Sequence, residues 1–149
     1  MRIYLDSCCY NRPYDDQFQP RVASETQAIL YIQNQIMTGH IELATSYVLR
    51  YEISKSPFPT RMLHTQNFIR HHSHVYVGTN CSDIVESYAK EIMKTGVKLY
   101  DAYHVACAIV AQCDYFLSTD DRLLKYRSSK ILLLNPIAWI DISEEGNKL

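Results

Sequence analysis

Glycine is scarce, with four in 149 residues. None are spaced as G-x-G-x-x-G or G-x-x-x-x-G-K-[ST], so the chain lacks the loops that cradle dinucleotide or nucleoside triphosphate phosphates. Paired cysteine motifs are also missing. Cys8, Cys9, Cys81, Cys107 and Cys113 are an odd number with no C-x-x-C, which argues against a disulfide framework or a zinc knuckle and predicts reduced thiols. Cys8 and Cys9 with His40, or with His71, His72 and His74, match no common metal-ligand spacing. No apolar run is long enough to span a membrane, and the opening MRIYLDSCC reaches Asp6 before a signal-peptide core forms. The expectation is a cytoplasmic protein with no membrane partner. An excess of one charge is lacking too. The formal net charge is −1, so no global positive field draws nucleic acid, and such a partner must be held by local patches. Candidate patches are Arg50 with Lys55, Arg61 with Arg70, and the run Arg122, Lys125, Arg127 and Lys130. Repeats, low-complexity tracts and Gly/Ser linkers are absent, so one domain over residues 1–149 is expected.

What remains is a globular profile, 47% apolar and 21% charged, enough to build a core at this length. RIYLD reads as a strand, followed by a loop carrying Asn11, Pro13, Asp15 and Asp16. Val22, Ile29, Ile32 and Ile36 recur at helical spacing up to Met37, and Gly39 is a stop signal. IELATS reads as a second strand, with Ser46 capping a helix to Lys55 that Pro57 and Pro59 end. A helix over 60–72, a strand at VYV (75–77) and a helix from Ser82 to Thr95, stopped by Gly96, follow. DAYHVACAIVAQC is apolar or small on every face after Asp101, which predicts a helix buried on more than one side. DYFLS is then a strand, DDRLLKY a short helix and KILLLN a last strand before Pro136 and Trp139. Alternating strands and helices predict an α/β three-layer α/β/α sandwich around a mainly parallel sheet.

Ligands in such sheets sit beyond the carboxyl ends of the strands, where strand order switches. Three elements deliver acids there: Asp6 ends the first strand, Asp120 follows YFLS, and Asp101 opens the buried helix, whose dipole favours an anion. Glu52, on the helix after the second strand, is a fourth. Each acid taken singly has an ordinary capping or surface explanation. Gathered together they repel one another unless a cation neutralises them, and an all-oxygen set suits Mg²⁺ or Mn²⁺. Ions held there would polarise a phosphodiester and activate a bound water. Of the two adjacent acids, Asp120 is the expected ligand and Asp121 the expected helix cap. Glu42 and Glu91 rival Glu52 on pattern alone. His104, one turn after Asp101, either orients a carboxylate or substrate, or is a satisfied buried histidine.

The stretch DAYHVACAIVAQCDYFLSTDDRLLK resembles the C-terminal half of a PIN domain, in which an Asp opens a small-residue helix and the next strand ends in a Ser/Thr-Asp step. IYLDS resembles that family's first strand, and a weaker likeness extends through Glu52 to NPIAWI. The resemblance implies a metal-dependent endoribonuclease using Mg²⁺ or Mn²⁺, with Asp6, Glu52, Asp101 and Asp120 as metal and catalytic residues. Thr119, and less securely Ser7, match the small hydroxyl residues that support such sites. Many bacterial members are the toxin of a toxin-antitoxin pair, often dimeric, so the resemblance also implies an RNA substrate, an antitoxin protein partner and a homodimer; other members are not toxins. DSCCYNRPYDD is longer than the family's usual segment. It brings Asn11 and Arg12 near the site as substrate-binding candidates, Arg12 suiting either bidentate phosphate contact or a loop salt bridge. The alternative reading is a catalytically inactive PIN-like module that binds RNA or protein. A weaker one is a phosphatase or DNA nuclease using the same acids. The chain's twelve tyrosines are expected mostly in the core or at its rim, with a few near the site able to stack on unpaired bases.

Overall fold

The computed structural model describes residues 1–147. Its sheet contains β1 (Arg2–Leu5), β2 (Glu42–Ser46), β3 (Ser73–Val77), β4 (Tyr115–Leu117) and β5 (Leu132–Leu134), all parallel, in the order β3-β2-β1-β4-β5. Parallel strands need crossovers, and these supply α1 (Ser7–Asn11), α2 (Pro20–Met37), α3 (Tyr47–Ser54), α4 (Pro59–His72), α5 (Ser82–Met93), α6 (Leu99–Val110) and α7 (Asp121–Leu124), before α8 (Pro136–Asn147) closes the described chain. Right-handed crossovers that step first one way from β1 and later the other way put helices on both faces of the sheet. The three-layer α/β/α expectation holds.

The central strand explains its own composition. Ile3, Tyr4 and Leu5 are fully buried because both faces of β1 are covered. Tyr4 pairs in register with Ala44 and Phe116 and stacks on the Phe116 ring. On α2 the buried stripe includes Val22, Ile29, Ile32 and Ile36, as the spacing predicts, and also Glu25. Gly39 follows at φ +81 and Gly96 follows α5 at φ +99, left-handed values that suit glycine at helix ends. The small-residue helix α6 buries Ala102, His104, Val105, Ala106, Cys107 and Ala108. Among the described residues no helix is long and apolar enough to cross a membrane.

One segment differs from expectation. The stretch after β1, expected as a loop, is α1 followed by a 3-10 turn over Arg12–Tyr14. Asp6 starts it by accepting the Ser7 N–H at 2.8 Å, and Pro13 lies in the first residues of the 3-10 turn, where its fixed φ is compatible with helical backbone. Asn11 and Pro13 thus act inside short helices rather than as loop punctuation.

Candidate active site

Strand order switches between β1 and β4, and the carboxyl ends of these two neighbours meet there. The Asp6 N–H donates to the Leu117 carbonyl at 2.9 Å, which locks the two strand ends together. Asp6 is 5% exposed. Its Oδ2 accepts the Ser118 hydroxyl at 2.9 Å, and the same Ser118 oxygen accepts the Asp120 N–H at 3.1 Å. Ser118 therefore splices two of the expected acids through one hydroxyl. Burial pushes the Asp6 carboxyl up in pKa, against the opposing pull of His104 and Ser118.

Glu52 reaches the cluster from α3, whose N-terminus Ser46 caps by accepting the Leu49 N–H, as expected. Burial pushes Glu52 up, but the hydrogen bond and charge of His104, with the Ser7 hydroxyl, outweigh it and carry the carboxyl below its ordinary range. Ser7 Oγ donates to Glu52 Oε1 at 2.6 Å, and His104 Nε2 contacts Glu52 Oε2. His104 Nδ1 meets the Tyr4 hydroxyl at 2.7 Å, and that hydroxyl meets Ser46 Oγ at 2.7 Å. Burial lowers the His104 pKa, yet Glu52 first and then the charges of Asp6 and Asp101 raise it overall. With the imidazolium formed, both ring nitrogens donate, one to Glu52 and one to Tyr4. His104 is thus a buried, satisfied histidine and also the group that orients a carboxylate, so the two readings of it coincide. Its role was hard to assign from sequence because both partners, Tyr4 and Glu52, are remote in the chain. The rivals of Glu52 lie elsewhere: Glu42 pairs with Arg2 at the opening residue of β2, and Glu91 pairs with Lys94 on the exposed side of α5.

Asp101 stands apart. It lies in the first turn of α6, half-buried, and no side-chain hydrogen bond reaches it among the described residues. Burial, then repulsion by Asp6 and Asp120, lifts its pKa to about 6. Burial leads that shift, and the like charges of Asp6 and Asp120 add to it.

Asp120 is the N-cap of α7, its Oδ1 accepting the Arg122 and Leu123 N–H groups. This corrects the expected division of labour, in which Asp121 caps. Asp121 instead takes two bonds of 2.7 Å from Arg21 on α2. Thr119 also departs from expectation. Its hydroxyl turns from the carboxylates to accept Arg12 Nη2 at 2.8 Å, and the hydroxyls that reach the acids are Ser118, on Asp6, and Ser7, on Glu52. Ser118 lies just beyond β4 and Thr119 sits at a bend, and the two hydroxyls part there. Besides Thr119, Arg12 pairs with Asp15 at 3.1 Å, and its Nε stands 3.2 Å from Glu25 Oε1 without hydrogen-bond alignment. The loop salt bridge is the alternative the structure contains. Asn11 donates to the Ser7 carbonyl at 3.2 Å, within its own helix.

Glu25 was not anticipated. It is fully buried and binds Arg12, Arg21 and Asn135, the last at 2.5 Å. Arg21 also donates to the Thr119 carbonyl at 3.2 Å. This network ties the end of β4 to α2, and the only sequence signal for it was an acid at an apolar position of the α2 stripe.

Two clefts open beside the acids. One, of about 430 Å³, is lined by Glu52 with Arg12, Lys55 and Arg61. The other, of about 460 Å³, is lined by Asp101 with Lys98, Arg122, Lys125 and Arg127. The run Arg122 to Arg127 expected as a patch therefore faces the site, apart from Lys130, which sits over Tyr88. Among the described residues no three His, Cys, Asp or Glu side chains lie close enough to share one ion. The chemistry of the carboxylate set fits a hard divalent cation, and mutual repulsion at Asp101 is what such a cation would relieve; a shared coordination sphere requires the acids to close in.

No protein-family model and no curated protein matches the chain. Solved structures do. The structure of VapBC2 from Rickettsia felis, bound to a DNA fragment from its promoter, is similar over 91% of this chain and 98% of its own, at 12% identity and a TM-score of 0.59. FitAcB from Neisseria gonorrhoeae is similar over 90% and 97%, at 14% identity and a TM-score of 0.53. FitAB bound to an IR36 DNA fragment is similar over 91% and 95%, at 18% identity and a TM-score of 0.55. At these identities the likeness is one of fold, and that fold is the PIN-like three-layer sandwich that the sequence resemblance implied.

Proposed function

We propose that the chain is a divalent-metal-dependent endoribonuclease. The observation that carries the reading is that Asp6 and Asp120 stand at adjoining strand ends at the strand-order switch, joined through the Ser118 hydroxyl, with Asp101 in the first turn of α6 pushed up to about 6 by burial and then by those two charges. Asp6, Asp101 and Asp120 would hold Mg²⁺ or Mn²⁺, and Glu52 would hold it or position the attacking water. When bound, such an ion polarises a phosphodiester and lowers the pKa of a coordinated water. The chain's own part is to keep the acids in place. Ser118 fixes Asp6 relative to Asp120, while His104 and Ser7 hold Glu52 ionised and oriented. Lys98, Arg122, Lys125 and Arg127 supply the local positive field that the net charge of −1 withholds, and they suit a phosphate backbone. The structural neighbours named as complexes bound to DNA support a second proposal of the same reading, that this chain is the toxin of a toxin-antitoxin pair with a small protein partner. The homodimer and the cytoplasmic location remain part of it.

A specific observation keeps the binding-module alternative in play: the acids are not closed around a ready ion sphere among the described residues. One experiment separates the two. Purified protein is incubated with labelled single-stranded and hairpin RNAs in Mn²⁺, Mg²⁺ or EDTA, beside Asp101→Asn, and melting is followed with and without Mn²⁺. The nuclease reading expects metal-dependent cleavage that drops about a hundredfold or more in the variant, and a Mn²⁺-dependent rise in wild-type melting temperature. RNA binding without cleavage or metal response would favour the module.

A further inference from the structure

Most aromatic rings of this chain pack into or against the core. Tyr51 on α3 and Tyr100 on α6 do neither. Both are 50% exposed, and they form a nearly parallel pair, with ring centroids 6.4 Å apart and 11° between planes. Each sits one residue before an acid of the cluster, Tyr51 before Glu52 and Tyr100 before Asp101. Two helices that bring acids to the switch point therefore also bring these rings together beside them. One helical turn beyond Tyr51, Lys55 lies over the Tyr51 ring, its Nζ 5.0 Å from the centroid.

We propose that Tyr51 and Tyr100 form a stacking subsite for one unpaired RNA base, next to the phosphodiester presented to the acids. This inference rests on the nuclease reading above and names the substrate class it favours, single-stranded RNA. The chemistry of the occupant follows from the surface. Flat exposed π faces match the face of a nucleobase, and stacking of this kind tolerates any base because each has such a face. A base in a duplex is already stacked and withheld, so the subsite selects unpaired segments. Lys55 covers one face of Tyr51, so the half-exposed Tyr100 ring offers the open face, and the ammonium supplies a cation for the adjoining phosphate that the acids alone would repel. A second copy of the chain or a partner protein would also cover apolar rings, but neither calls for a lysine beside a row of carboxylates as directly as a base carrying its own phosphate does.

The test uses the full chain in EDTA, so that no turnover occurs, with fluorescence anisotropy of a labelled mixed-sequence single-stranded RNA and of a hairpin with a short loop. Wild type is compared with Tyr51→Ala, Tyr100→Ala, Tyr51→Phe and Tyr51→Trp, each checked for wild-type melting. Either alanine variant is expected to lose about fivefold to a hundredfold in affinity for the single strand, with little change toward the hairpin stem, while the Phe and Trp variants bind like wild type or better. Single-strand binding by both alanine variants at wild-type strength overturns the proposal, as does a change of oligomeric state in place of a change in RNA affinity. If wild type cleaves RNA in Mn²⁺ and the alanine variants match it in cleavage and binding, the subsite falls and the nuclease reading stands. If wild type neither binds nor cleaves RNA, both fall.

Discussion

Glu25 and Asp101 are both carboxylates on helices packed against one sheet, and they are treated in opposite ways. Glu25 is fully buried and answered by Arg12, Arg21 and Asn135. Asp101 is half-buried and receives no side-chain hydrogen bond among the described residues, and burial, then the charges of Asp6 and Asp120, raise its pKa to about 6. A buried charge supplied with counter-charges serves the fold. One left among its own kind costs stability and is a mark of a site where something else is to bind. Burial alone would not have separated the two, since the more deeply buried acid is the structural one.

Removing each acid should expose the contrast. Glu25→Ala leaves the partly buried Arg12 without its inner partner and is expected to destabilise the protein by about 3–5 kcal/mol, read as a lower urea midpoint. Asp101→Asn should act in the other direction. The folded protein holds the Asp101 proton up to about pH 6, whereas an ordinary aspartate releases it near 3.8. Between those values the folded state binds the extra proton, so this group's contribution to stability falls as pH rises through the window. Without metal, the asparagine variant is therefore expected to be more stable than wild type above pH 6, by about 1 kcal/mol once the shift is discounted for solvent screening, and equal to it near pH 4. A variant less stable than wild type at pH 8 would break the comparison. Asp121→Asn is the smallest case. Arg21 lowers the Asp121 pKa, but the pair is open to solvent, and its loss should leave the urea midpoint nearly unchanged.

Much of the fold was legible because its signals are local. Strand composition, helical spacing and the caps at Ser46, Gly39 and Gly96 sit within a few residues of what they control. The segment after β1 was misread for the same reason: Asn and Pro mark turns, yet the Asp6 side chain and the early placement of Pro13 make short helices of it. Within the candidate site, Asp6, Asp101 and Asp120 could be named because each ends or opens an element, whereas Glu52 lies inside α3 and had rivals. Their supporting residues could not. Whether Ser118 or Thr119 turns inward depends on how β4 meets β1, and the partners of His104 come from β1 and α3.

The sequence by itself determined that strands and helices alternate, that a small-residue helix would be buried, and that acids would stand at element ends, since periodicity, residue size and capping act over one or two turns. Only the tertiary structure decided which acids feel one another's charge, which are neutralised by arginine, and that Tyr51 and Tyr100 lie side by side. Charge interaction and ring stacking act through space over a few ångströms, and those distances exist only after β1 and β4 pair and α3 and α6 come to rest beside them.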